Sequence, residues 1–266
     1  MRAFRSEWIK LSRRTTLLGF GGAIVGFAAL ITILMFLSAG GTEIGTDEGR
    51  GPGAFASAAT LSLTDGSVFA VTHVATFLSI IALALFSSNM AGEFSKGTIR
   101  MLFVTEPRRI KVLAGKLAAL ASFSAAWLGV ALGVSVALGA LLASGAGVET
   151  TAWWTSDGIS AMASTYVNLS GAMIVAGLIG AVLAVLTRSS AIAISVGAAY
   201  FMIVEPLVST FWEALGEWGP SAASSALADG GTAVIGYSTA AVLAAVYGFA
   251  SLSVSAVVLS RRDVTS

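Results

Sequence analysis

The sequence predicts an all-α polytopic membrane protein with six transmembrane helices, and three observations carry that prediction. Of 266 residues, 56% are hydrophobic and only 11% charged, whereas a water-facing domain carries roughly a quarter charged residues. The apolar residues gather into six runs long enough to cross a hydrocarbon core about 30 Å thick at a rise of about 1.5 Å per residue. Within those runs Leu, Ala, Val, Ile, Phe and Gly succeed one another without alternation, which argues for buried helices and against barrel strands.

Residues 1–15 precede the first run and place Phe4, Trp8 and Leu11 on one helical face, with Arg2, Arg5, Lys10, Arg13 and Arg14 around the rest. That is the pattern of a basic amphipathic helix in the membrane interface. By spacing alone it suits an anchor on anionic lipid better than a docking element for a protein partner. The spans are expected at 16–37, 68–88, 117–143, 167–186, 191–211 and 239–259. The first exceeds the 7–15 apolar residues of a signal peptide and is expected to stay as a permanent anchor.

Residues 89–116 form the largest connection on the basic side. Gly97 interrupts it, Thr98 can cap a short helix whose apolar face is Ile99, Leu102 and Phe103, and Pro107 stops that helix. An apolar face beside charge suits insertion into a groove on another protein as well as an ordinary interfacial helix. Gly92 and Gly97 imitate the glycine spacing of a phosphate loop, but Thr98 stands where the phosphate-binding Lys should be, and no strand precedes it. A connection this short has no room for a nucleotide-hydrolysing domain, so any ATP-driven step belongs to another chain.

On the fifth span Glu205 stands near the outer edge, and Pro206 is expected to break the helix. Glu205 reads as marking a bent outer segment rather than as a proton carrier, with Glu205 and Pro206 the candidate outer gate. His73 reads as an interfacial residue on the second span. Residues 206–238 are too interrupted for two further spans and too apolar for a free loop, and suit a helical hairpin dipping into the outer leaflet. Gly22 with Gly26, Gly129 with Gly133, and Ala176 with Gly180 have the four-residue spacing that brings helices close.

Orientation follows from charge. With the N-terminus inside, 14 of the 15 Lys and Arg residues fall on the cytoplasmic side, Arg50 being the exception, and ten of the 14 acidic residues fall outside. Cytoplasmic loops hold the positive excess, so both termini are expected in the cytoplasm. Trp153, Trp154, Trp212 and Trp218 lie in outer connections and are expected at the headgroup layer. Zero Cys and one His exclude thiol chemistry and His-paired metal sets. No catalytic, cofactor-binding or metal residue is expected. No carboxylate lies at the midplane to couple protons or sodium, and no Ser with His or Asp pair lies at depth for intramembrane hydrolysis.

The basic N-terminus with SEWIKL, the six-span layout, GEFSKGTIR followed by TEPRR and AGK, and WGPSAASSAL before the last span together resemble the ABC-2-type permeases, in the compact form of high-GC Gram-positive bacteria. The resemblance covers essentially the whole length and implies a permease subunit of an ATP-binding-cassette exporter in the bacterial cytoplasmic membrane. It further implies no catalysis by this chain, a second permease subunit as homodimer in preference to heterodimer, and two copies of a separate ATPase subunit that bind ATP and Mg. Phe4, Trp8 and Leu11 would belong to the connecting helix. Glu93, Gly97, Thr98, Ile99, Arg100, Leu102 and Phe103 would form the ATPase-coupling region, and 206–238 the re-entrant hairpin. The expected partners are these subunits and membrane lipid, not nucleic acid, and the expected cargo is amphipathic or lipid-like. A non-transporting sensor, immunity or scaffold protein is the alternative.

Overall fold

The computed structural model describes residues 2–39, 56–95 and 109–261. These residues are helical with short connections, and six of the helices are long and apolar enough to cross a membrane. In chain order the elements are α1 (Arg2–Leu11), α2 (Arg14–Ala39), α3 (Ala58–Leu61), α4 (Phe69–His73), α5 (Ala75–Ser95), α6 (Arg109–Ala146), α7 (Ser156–Thr187), α8 (Ser190–Ser209), α9 (Glu213–Trp218), α10 (Pro220–Ala228) and α11 (Tyr237–Arg261). The spans are α2, α5, α6, α7, α8 and α11.

α7 is the hub of the bundle, packing against α5, α6, α8, α10 and α11. Its buried Ala172, Ala176, Gly177, Gly180, Ala181 and Ala184 explain why. Small side chains let backbones approach closely where lipid supplies no hydrophobic drive between helices. A Cβ on Gly180 would lie 2.6 Å from the Leu83 carbonyl oxygen, and one on Gly177 would lie 2.8 Å from the Phe86 ring, so α5 and α7 meet at a distance only Gly permits. Of the four-residue pairs in the sequence, Ala176 with Gly180 makes this contact. A Cβ on Gly22, Gly26 or Gly133 would meet nothing within 4 Å.

α2 packs along α6, and a buried Thr32–Ser135 hydroxyl pair at 2.7 Å joins them in mid-span. A π-helical stretch over Leu17–Gly21 opens α2 near its start, and the Trp127 ring fills the space beside Gly21, where a Cβ would sit 2.5 Å away. Between α7 and α8 the turn takes two residues. Arg188 adopts a left-handed φ of 56° and ends α7, and the Ser189 side chain accepts from the Ile192 amide to start α8.

Several boundaries differ from the sequence reading. The run from 68 divides into α4 and α5, because the helical ladder breaks at Val74 (φ −105°, ψ 18°). The third span is one helix from Arg109 to Ala146 that carries Lys111 and Lys116 in its first turns. The expected break at Pro206 does not occur. A π-helical turn over Tyr200–Val204 precedes it, and Pro206 falls in the first turn of the α-helical segment Glu205–Ser209, where a missing N–H costs little. Trp153 is not a headgroup anchor: it is fully buried, its Nε1 donates to the Leu61 carbonyl at 2.9 Å, and its ring meets Phe36 edge to face. Trp154, Trp212 and Trp218 are exposed.

Candidate functional site

Polar groups concentrate at the two ends of the bundle. At the end bearing α1, the apolar face expected from Phe4, Trp8 and Leu11 is turned onto α6 rather than away from the chain. Leu11 is buried, Phe4 stacks on Trp8 at 5.8 Å, and Trp8 meets Phe123 edge to face at 6.1 Å. Beside this contact Glu7 and Lys116 are both buried. Glu7 pairs with Lys10 at 2.5 Å and with Lys116 at 3.7 Å, while the Lys116 ammonium donates to the Asn89 carbonyl of α5 at 3.3 Å. One charge cluster therefore ties α1, α5 and α6 together. Sequence reasoning passed over it, although Glu7 is the one acid among five basic residues in the first 14, a pattern that points to a partner elsewhere in the chain.

Gly97, Thr98, Ile99, Arg100, Leu102 and Phe103 lie outside the described residues, and Glu93 falls within α5 without a described side chain. The segment that holds them leaves α5 and enters α6, the two helices joined by Lys116.

At the other end Glu205 is 2% exposed. Its two carboxylate oxygens accept from the Ser221 amide at 3.0 Å and the Ala222 amide at 2.7 Å, so the side chain caps α10 from a different helix. An anion at a helix N-terminus satisfies orphan amides and opposes the helix dipole. The Tyr200 side chain lies against the same carboxylate, and Tyr247 of α11 donates to the Trp218 carbonyl of α9. Gly219 allows this closeness, because its Cβ would fall 2.3 Å from Glu205 Oε1 and 2.5 Å from the Leu215 carbonyl. A cavity of about 450 Å³ beside Glu205 is bounded by Phe77 of α5, Met202 and Pro206 of α8, and Ala222 of α10. Pro206 itself is exposed at its rim.

A second cavity, of about 350 Å³, opens between α4, α7 and the turn after α10, and contains Asp65, His73, Asn168 and Asp229. His73 is exposed and stacks on Phe69 at 6.0 Å. It belongs to α4, ahead of the second span rather than within it. The cavity walls raise the Asp229 carboxyl above the usual Asp range by desolvation, and the nearby His73 opposes that shift. Asn168 is buried and its Oδ1 accepts from the Tyr237 hydroxyl at 2.9 Å. These residues come from sequence-distant elements, so no local motif announced them. Among the described residues no group of three or more His, Asp or Glu is placed to hold a metal.

No curated protein matches the chain. A family model described as "Protein of unknown function (DUF2705)" matches residues 31–265. Matched over most of its length, the chain belongs to the DUF2705 family.

Proposed function

We propose that the chain is the transmembrane permease subunit of an ATP-driven exporter of the ABC-2 type. It would work as one of a pair, a homodimer in preference to a heterodimer, in a bacterial cytoplasmic membrane. Two copies of a separate ATPase subunit would hold ATP and Mg and supply the energy, and this chain would catalyse nothing itself.

The observation that carries the reading is the charge cluster of Glu7, Lys116 and the Asn89 carbonyl. It binds α1 to α6 beside the end of α5, so the segment between α5 and α6 is joined at both ends to elements that this cluster ties together. A push on Glu93 to Phe103 from a closing ATPase would pass into two spans and α1 at once. The basic residues put that end of the bundle in the cytoplasm by the positive-inside rule. α9 and α10 then lie at the outer face as a re-entrant hairpin. Glu205 would hold this hairpin to α8, so that Glu205 and Pro206 work as an outer gate when the spans shift. The cavity beside Glu205 mixes apolar walls at Phe77, Met202 and Pro206 with the hydroxyls of Thr76, Ser209 and Ser225, which favours an amphipathic or lipid-like cargo.

Two measurements test the proposal. A nucleotide-binding chain should co-purify from native membranes, and Glu93→Lys or Arg100→Glu should lower transport at least tenfold while insertion and ATPase binding persist. Transport at the wild-type rate in both variants, or uphill transport by the purified chain alone, would refute it. A sensor or scaffold would keep its activity in the same variants.

A further inference from the structure

We propose that the outward face of α1 binds an anionic phospholipid in the leaflet at that end of the bundle, with Arg5 and Arg13 on the headgroup phosphate and Ile9 at the upper acyl carbons. The inference is independent of the exporter reading, because it needs neither a partner subunit nor transport.

An amphipathic interfacial helix ordinarily sets its apolar face into lipid. Here that face is given to α6, with Leu11 buried and Trp8 against Phe123. What α1 turns outward is Arg5, Ile9 and Lys10, followed by Arg13 and Arg14, all exposed. The charge on this face is uncompensated. Glu7 is the one acid in residues 1–42, and it is turned inward, 4% exposed, onto Lys10 and Lys116. Arg5, Arg13 and Arg14 make no ion pair among the described residues.

Position and charge together decide what meets this face. α1 ends at Leu11 and the first span begins at Arg14, so two residues separate α1 from a helix that enters hydrocarbon, and Arg13 and Arg14 fall at headgroup depth. Ile9, 62% exposed, stands one turn beyond Arg5, which matches a phosphate with the acyl carbons beside it. A guanidinium takes phosphate oxygens in pairs. A zwitterionic lipid offers the same phosphate but brings an ammonium group into the field of three Arg residues, so a net anionic headgroup is favoured. An acidic protein surface would match the charge but not the depth.

The test titrates the full chain, purified in a neutral detergent, with phosphatidylglycerol or phosphatidylcholine of the same acyl chains, and reads bound lipid by native mass spectrometry. Phosphatidylglycerol should bind at least about fivefold tighter, the contribution of roughly one basic residue near a membrane surface. Arg5→Gln/Arg13→Gln should remove most of that preference, Arg5→Lys/Arg13→Lys should keep part of it, and Ile9→Ser should weaken both lipids alike. Arg188→Gln removes an exposed charge from the turn between α7 and α8 at the same end of the bundle and should leave the preference as in wild type. Should the double Gln variant fail to insert, Arg5→Gln alone carries the comparison, with a smaller loss. An undiminished preference in the Gln variants, or an equal loss in Arg188→Gln, would overturn the proposal. So would a wild type indifferent to the headgroup, and an acidic protein released from it by Arg5→Gln/Arg13→Gln would then assign the face to a protein partner.

Discussion

Removing the Glu7 carboxylate should take one ion partner from the Lys116 ammonium in a site where both are buried. At 3.7 Å the attraction is on the order of 4 kcal/mol for an effective dielectric near 20, most of it offset by desolvating both ions. The two single substitutions and the double one therefore behave differently. Glu7→Leu takes a carboxylate from the buried Lys116 ammonium and should cost about 3 kcal/mol, Lys116→Met leaves Glu7 paired with Lys10 and should cost less, and removing both leaves an apolar contact and should cost less than the sum of the two. For a chain of this size about 1 kcal/mol shifts the melting temperature by 2–4 °C, so Glu7→Leu should melt on the order of 10 °C lower in detergent and Lys116→Met should fall by less. The double variant should recover most of that. The assay is thermal unfolding of the four proteins followed by intrinsic Trp fluorescence, since Trp8 reports on the α1–α6 contact through Phe123. Glu7→Leu within 1 kcal/mol of wild type, or a double variant as unstable as the two singles summed, would refute the reasoning.

Gly180→Ala should force α5 and α7 apart against the Leu83 carbonyl and lower stability by about 1–3 kcal/mol, while Gly26→Ala, facing open space, should be near neutral in the same melting assay. Gly219→Ala should displace the Glu205 carboxylate from the start of α10. It should cost about 2 kcal/mol through lost charged hydrogen bonds and should speed amide exchange at Ser221 and Ala222 in hydrogen-exchange mass spectrometry. Because desolvation raises Asp229 above its ordinary value, the folded state holds more protons than the unfolded one as pH climbs through that window, so stability falls with rising pH there. Asp229→Asn should accordingly be at least as stable as wild type at neutral pH, with its advantage gone below the ordinary Asp range, in melts taken across pH.

The number of spans, their approximate positions and the amphipathic face of α1 were legible in the chain itself, because the cost of exposing polar groups to hydrocarbon acts on composition and run length. The charge asymmetry that orients the proposed function is likewise a property of sequence. Tertiary structure decided where the apolar face of α1 goes, that Trp153 is buried, and that Pro206 continues a helix after a π turn. It also selected Ala176 with Gly180 for the close contact of α5 with α7. The same holds for Glu7 with Lys116, Glu205 with the start of α10, and Asp229 with His73, whose partners come from different elements. Hydrophobic period and charge bias are local and additive along the chain. Pairing across the bundle depends on which helices share a face, and that is set by packing around small residues such as those of α7.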